Sequence, residues 1–260
     1  MRLAALGLVL LLVGCASQVH FPSASPAETV TLSGSLYRPE GTGPFPAMEL
    51  LHTCGGLQKH VLDWAAWLKA QGYVALAVDS FSPRGTRNVC REGRNPTADE
   101  VAVDAFGALA YLRSLPFVHR DRIGVMGWSY GAMAALRASS GGLASRAQPQ
   151  GGGFRVAVAF YPHCSYLSRD TAIPVLLLLG EADDWTPPRL CVVSAEQLQR
   201  AGRPILWTVY PGAYHAFDQA EHGPGRQYLG HTLKYDSAAT ADSEKRVRDF
   251  LSQHLRRSQP

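Results

Sequence analysis

Ser129 stands between two glycines in Gly127-Trp128-Ser129-Tyr130-Gly131. The strand-like run Ile123 to Met126 leads into this stretch, and an alanine-rich, helix-like run follows it. A serine hydroxyl is a weak nucleophile near neutral pH. It becomes effective when a sharp strand-to-helix turn presents it beside a base. Small neighbours let strand and helix close around such a turn, and the helix N-terminus aims N–H groups at developing negative charge. The base and its orienting acid must come from elsewhere in the chain. Val175–Leu179 is strand-like and is followed by Gly180-Glu181-Ala182-Asp183-Asp184-Trp185-Thr186-Pro187. Ile205–Tyr210 is followed by Pro211-Gly212-Ala213-Tyr214-His215-Ala216-Phe217. Serine, acid and histidine thus occur in that order, each after a strand, as an elbow-type nucleophile requires. The chemistry would be attack of Ser129 on a carbonyl, with His215 as general base and Asp183 or Asp184 behind it.

Such convergence needs a sheet whose strands all end at one rim. The periodicity supplies one. Strands are expected over Pro46–His52, Tyr73–Val78, Ile123–Met126, Phe154–Phe160, Val175–Leu179 and Ile205–Tyr210, and the alternating run Glu28–Tyr37 reads as an edge strand or hairpin. Helices are expected over His60–Gln71, Thr97–Leu115, Arg189–Ala201 and Ala238–Leu255. Thr97 and Glu100 have the spacing of a capping box. Strands apolar on both faces and alternating with helices predict an α/β fold with a mostly parallel sheet covered on both sides. Ligands in such folds bind beyond the carboxyl ends of the strands.

The 260 residues, 46% of them hydrophobic, suffice for one core, and 18% charged residues argue against disorder. A formal charge of +4 without a basic run argues against nucleic-acid binding. At the N-terminus, Met1-Arg2 precedes an apolar run, Leu3 to Val13, too short to span a bilayer. Gly14-Cys15-Ala16 follows, and the segment resembles a bacterial lipoprotein signal. That resemblance implies removal of residues 1–14, lipidation of Cys15, and sorting to the periplasmic face of the outer membrane. Residues 15–27 would then be an anchored tether with a reach of roughly 20 Å, and 28–260 a single domain. Membrane contact is expected through this anchor only. Export leaves Cys54, Cys90, Cys164 and Cys191, an even number in an oxidising compartment, which predicts two disulfides of open connectivity. No short C-x-x-C spacing suggests a metal site.

The chain from Val30 to Leu255 resembles the dienelactone hydrolase family of α/β hydrolases. The likeness rests on L-L-H-T-C-G-G, D-S-F-S-P-R-G, G-W-S-Y-G, A-F-Y-P, L-G-E-A-D-D-W-T-P and Y-P-G-A-Y-H-A-F-D. It selects Asp183 over Asp184 as the acid and His215 as the base. It implies oxyanion N–H groups from Tyr130 and from Thr53 or Cys54, and the pairings Cys54–Cys90 and Cys164–Cys191. Arg84 lies nearest the family's substrate-binding arginine, and Trp128, Trp185 and Tyr214 flank the catalytic positions, either as pocket walls or as core packing around the strand ends. The family's namesake uses a cysteine nucleophile tuned by a glutamate. Here Ser129 replaces the cysteine and His52 occupies the glutamate's place, while Glu49 sits earlier, inside the strand. These departures imply a serine hydrolase acting on small esters or lactones without a cofactor. A catalytically inactive binding lipoprotein and an acyltransferase or peptidase with the same triad are the competing readings.

Overall fold

The computed structural model describes residues 16–26, 29–91, 95–148 and 151–256. Cys15 and the expected signal segment lie outside the described residues. In chain order the elements are β1 (Ser17–Pro22), β2 (Thr31–Tyr37), β3 (Phe45–Leu51), α1 (Lys59–Ala70), β4 (Val74–Asp79), α2 (Ala98–Ser114), β5 (Val118–Trp128) and α3 (Tyr130–Ala138). Then come α4 (Gly141–Ala147), β6 (Ala157–Phe160), β7 (Val175–Gly180), α5 (Arg189–Arg200), β8 (Ile205–Tyr210), β9 (Arg226–Tyr228), β10 (His231–Leu233) and α6 (Ser237–Leu251).

Eight strands form one sheet in the order β1-β2-β4-β3-β5-β6-β7-β8. From β4 through β8 neighbouring strands are parallel, while β1 and β2 add an antiparallel edge. The sequence explains the two-sided cover. In β4, Val74, Leu76 and Val78 enter the core beneath α2 and α3, whereas Ala75 and Ala77 face α1 and α6. β7 repeats this with Val175, Leu177 and Leu179 on one side and Leu176 and Leu178 on the other. Burying each such side chain contributes about 2 kcal/mol, so both faces are bound to helices. The α2 capping box forms as the spacing predicts: Thr97 accepts from the Glu100 N–H, and the Glu100 carboxylate accepts from the Thr97 N–H.

Two parts depart from the expectation. Residues 17–22, read as part of a flexible tether, form β1, which pairs with β2 from Ser17↔Leu36 to Pro22↔Thr31. Phe21 anchors it, being buried and stacked on Tyr111 of α2. The sheet therefore begins two residues after Cys15 rather than near residue 28. The polar segment after His215, which showed no strand pattern, folds into the short hairpin β9–β10.

Candidate active site

Ser129 occupies the turn between β5 and α3 with φ 51° and ψ −107°, a conformation L-residues rarely hold. The flanking glycines are there for space. A Cβ on Gly127 would lie 2.2 Å from the Gly131 carbonyl oxygen, and one on Gly131 would lie 2.1 Å from that of Leu51. The turn presents the hydroxyl at the rim where the parallel strands end.

His215 and Asp183 arrive at the same rim from the loops after β8 and β7. His215 Nε2 lies 3.0 Å from Ser129 Oγ, and its Nδ1 lies 2.8 Å from Asp183 Oδ2. All three residues are buried. The other oxygen of Asp183 accepts from the N–H groups of Trp185 and Thr186 at 2.9 and 2.8 Å. Burial opposes ionisation of Asp183, but His215 and these two N–H groups outweigh it and hold the carboxyl below its ordinary value. Asp184 points away: its carboxylate accepts from the N–H of Thr232 in β10 and sits 3.7 Å from His231 Nδ1. Thr186, unremarked in the sequence, places its hydroxyl 2.9 Å from Asp183 Oδ2, 3.2 Å from His215 Nδ1 and 3.0 Å from the Tyr161 carbonyl.

The cleft has two lobes that meet at Ser129, Cys54 and Trp185. One, of about 240 Å³, is walled by Gln58, Asn88, His222, Arg226, Tyr228 and Leu233 among others. The second, of about 310 Å³, runs past Tyr130, Met133, His163, Tyr166 and Thr186. Thr53 borders the first lobe only, whereas Cys54 borders both. Cys54 is bonded to Cys90, and Cys164 to Cys191. This is the connectivity the family resemblance implied. The first bond ties the Thr53–Gly56 loop to the segment after β4, and the Val89 N–H reinforces it by donating to the Cys54 carbonyl.

His52 braces the same loop from behind. Its Nδ1 lies 2.8 Å from the Thr53 carbonyl, and its Nε2 lies 3.4 Å from the Ser80 N–H. A neutral ring that donates at Nδ1 and accepts at Nε2 satisfies both, and burial lowers its pKa accordingly. Glu49 lies on the α2 side of β3. It is fully buried, and neither carboxyl oxygen has a hydrogen-bond partner among the described residues. Burial, reinforced by the nearby Asp104, raises its pKa well above the ordinary value.

Three of the four candidate substrate-contacting residues lie elsewhere. Arg84 is held in an ion pair with the fully buried Asp104, at 2.7 and 3.0 Å, and donates to the Ser80 carbonyl. It fastens the loop after β4 to α2 and does not line the cleft. Trp128 precedes the turn on the opposite face of the sheet, fully buried against α1. Its indole donates to Asp218 Oδ2 at 2.8 Å. Tyr214 is half-buried outside the cleft, with Lys234 Nζ 5.7 Å from its ring centre. Trp185 does border both lobes, and its ring centre lies 5.1 Å from that of His215.

Asp218, three residues beyond His215, closes the Y-P-G-A-Y-H-A-F-D motif, which gave it no role. It is buried and accepts from Trp64 Nε1, Trp128 Nε1 and the Tyr161 hydroxyl at 2.8, 2.8 and 2.7 Å. One carboxylate thus joins α1, the strand leading to Ser129, the loop after β6 and the loop of His215.

Comparison with known proteins identifies the family. The model of the dienelactone hydrolase family matches residues 32–255. The chain belongs to the dienelactone hydrolase family. Among curated relatives of this dienelactone hydrolase family member, a Bradyrhizobium protein named "Probable 2-oxo-3-(5-oxofuran-2-ylidene)propanoate lactonase" is 28% identical over 203 residues, 71% of this chain and 78% of the relative. A solved dienelactone hydrolase-like promiscuous phosphotriesterase from metagenomic libraries superposes with a TM-score of 0.71 at 19% identity, covering 93% of this chain and all of that one. Esterase 2 of Thermogutta terrifontis gives 0.65 at 19% identity, covering 92% of each chain. At these identities the two solved structures attest the fold of the family member, an α/β hydrolase.

Proposed function

We propose that this chain is a serine hydrolase that cleaves small carboxylic esters or lactones, with Ser129 as nucleophile, His215 as general base and Asp183 as its orienting carboxylate. The observation that carries this is the hydrogen-bonded relay Ser129 Oγ–His215 Nε2–His215 Nδ1–Asp183, at 3.0 and 2.8 Å. Membership of the dienelactone hydrolase family supports the ester or lactone class.

In this reading His215 Nε2 takes the Ser129 proton as Oγ bonds to the substrate carbonyl carbon. The carbonyl oxygen becomes an oxyanion, met by the Tyr130 N–H at the start of α3 and by one from Thr53 or Cys54. Collapse breaks the bond to the alkoxy oxygen, which leaves with the proton from His215; in a lactone it stays tethered to the acyl chain. Water then enters, gives its proton to His215 and releases the acid from Ser129. Asp183 remains ionised throughout and holds the Nδ1–H tautomer. The neutral His52 brings no carboxylate to the oxyanion loop, which suits a serine nucleophile. The two lobes meeting at Ser129 would divide acyl and alcohol portions between them.

Ser129→Ala should abolish turnover of p-nitrophenyl esters and lactones and remove labelling by a fluorophosphonate, with the melting temperature nearly unchanged. Turnover retained by that variant would remove Ser129 from the mechanism. The protein is also proposed to be exported and lipid-anchored at Cys15. Two disulfides support an oxidising compartment, and Cys15→Ser should move the protein from the membrane to the soluble fraction on cell fractionation.

A further inference from the structure

The rim opposite the cleft carries a charge excess that the mechanism does not use. Six strands, β3 to β8, run parallel, so the segments leading into their amino ends gather at that rim. Residues 38–44, 71–73, 113–122, 151–156, 169–174, 200–204 and 252–256 hold nine arginines against three carboxylates, Glu40, Asp121 and Asp170. That excess exceeds the +4 of the entire chain, so the remainder is net negative. Asp170 is engaged by the Ser140 hydroxyl and the Gly142 N–H, and Arg200 is paired at 3.1 Å with Glu196, four residues earlier in α5; counting Glu196 leaves an excess of five.

Part of this set is linked: Arg122 donates to the Arg256 carbonyl. Arg113 donates to the carbonyls of Arg120, Gly152 and Gly153 and so joins two of the segments. Arg38 lies 4.1 Å from the centre of the Phe117 ring. Burial and the positive charge of Arg155 together hold the His254 imidazole below its ordinary pKa, which brings the C-terminal turn into the same field. Arg120, Arg155, Arg203 and Arg256 are exposed.

A second observation points the same way. Ser17 pairs with Leu36, which pairs with Leu76 in the lower half of β4, and β1 then runs upward until Pro22 meets Thr31 beyond the end of β4. The chain therefore enters the fold from the side of the basic rim, two residues after Cys15.

We infer that this rim is a seat for an anionic phospholipid surface, which holds the body on the membrane with the cleft turned to the aqueous side. The inference rests on the export and anchoring reading above, since the anchor brings rim and bilayer together. An anionic leaflet attracts arginines within about a Debye length, roughly 10 Å at moderate salt.

The test uses the full chain carrying Cys15→Ser, so that no acyl group contributes. Flotation is compared on vesicles of phosphatidylcholine alone and of phosphatidylcholine with phosphatidylglycerol. Every variant has the same N-terminal leader, whose contribution cancels. The expected result is a preference for the phosphatidylglycerol vesicles that fades as salt rises. Arg120→Gln, Arg155→Gln and Arg203→Gln should each lower it about fivefold. The charge-matched set Arg87→Gln, Arg91→Gln and Arg189→Gln, all exposed at the cleft rim, should keep it. Equal loss from both sets, or no loss from the first, would overturn the seat. Acylation and hydrolysis are read separately by the Cys15 and Ser129 variants, so their failure cannot be mistaken for this one.

Discussion

Thr186 and Asp183 show how closely single residues divide the work at the rim. Asp183 has a folded pKa below its unfolded value and accepts from His215 and two backbone N–H groups. Asparagine there would favour the wrong imidazole tautomer, and turnover should fall by about 10⁴-fold. Asp184→Asn, at an exposed residue bonded only to the hairpin side, should leave steady-state turnover close to the parent's, and the reverse ranking would reassign the acid. Glu49 offers a stability test. Its folded pKa is raised, so the folded state keeps a proton that the unfolded chain releases, and stability falls as pH climbs above 4.5. Glu49→Gln keeps the shape without a proton to lose. It should melt higher than the parent near neutral pH, with the gap closing toward pH 4.5. At this scale the sequence pointed to the three groups that the structure brings within hydrogen-bond reach, Ser129, His215 and Asp183, because each sits in a short motif after a strand. It could not reveal that Arg84 is already paired, since its partner Asp104 lies 20 residues on, inside a helix. Nor could the role of Asp218 be read: its three donors come from Trp64, Trp128 and Tyr161, far apart in the chain.

The elements follow the same division. Strands buried on both faces and a capped α2 were readable from period and cap residues. The edge strand β1 was not, because its sequence follows directly on the expected lipidation site and ends in prolines like a linker. Its partner and the buried Phe21 make it a strand. Of the two readings of Trp128, parity decides for core packing: β5 points alternate residues to opposite faces, and Trp128 shares the face of Met126 toward α1. At the oxyanion loop, the Cys54–Cys90 bond has a measurable share of both stability and rate. Cys54→Ser with Cys90→Ser should lower stability by about 3–4 kcal/mol in the chain-entropy account. It should also reduce kcat more than it raises KM, because a loosened loop misplaces a donor to the transition state. The Cys164→Ser with Cys191→Ser pair, whose bond lies farther along the rim, provides the comparison. If both double variants lose kcat equally, the loop is not specially braced.

For the whole molecule, acid sensitivity is set by buried histidines. Burial lowers the pKa of His52, His60 and His222, that of His60 to about 3. The unfolded chain therefore takes up protons first as pH falls below about 6.5, and each fully buried ring withdraws about 1.4 kcal/mol per pH unit. Glu49 and Asp218, whose carboxyl pKa burial raises, act in the opposite sense, but these two are outnumbered by the imidazoles of His52, His60, His222 and His254, all held below their ordinary value. The melting temperature should thus drop between about pH 7 and 5, and His60→Asn should flatten that drop; a parent whose melting temperature is level over this range contradicts the balance.

The paired cysteines also govern how the protein can be produced. Made in a reducing bacterial cytosol, the polypeptide would fold around four thiols, leaving the loop before α1 held by the His52 ring and its hydrogen bonds without the covalent tie. Such a preparation should look well folded by circular dichroism and still turn over esters poorly until it is oxidised. Secretion through the native leader, or an oxidising host, should give full specific activity without that step.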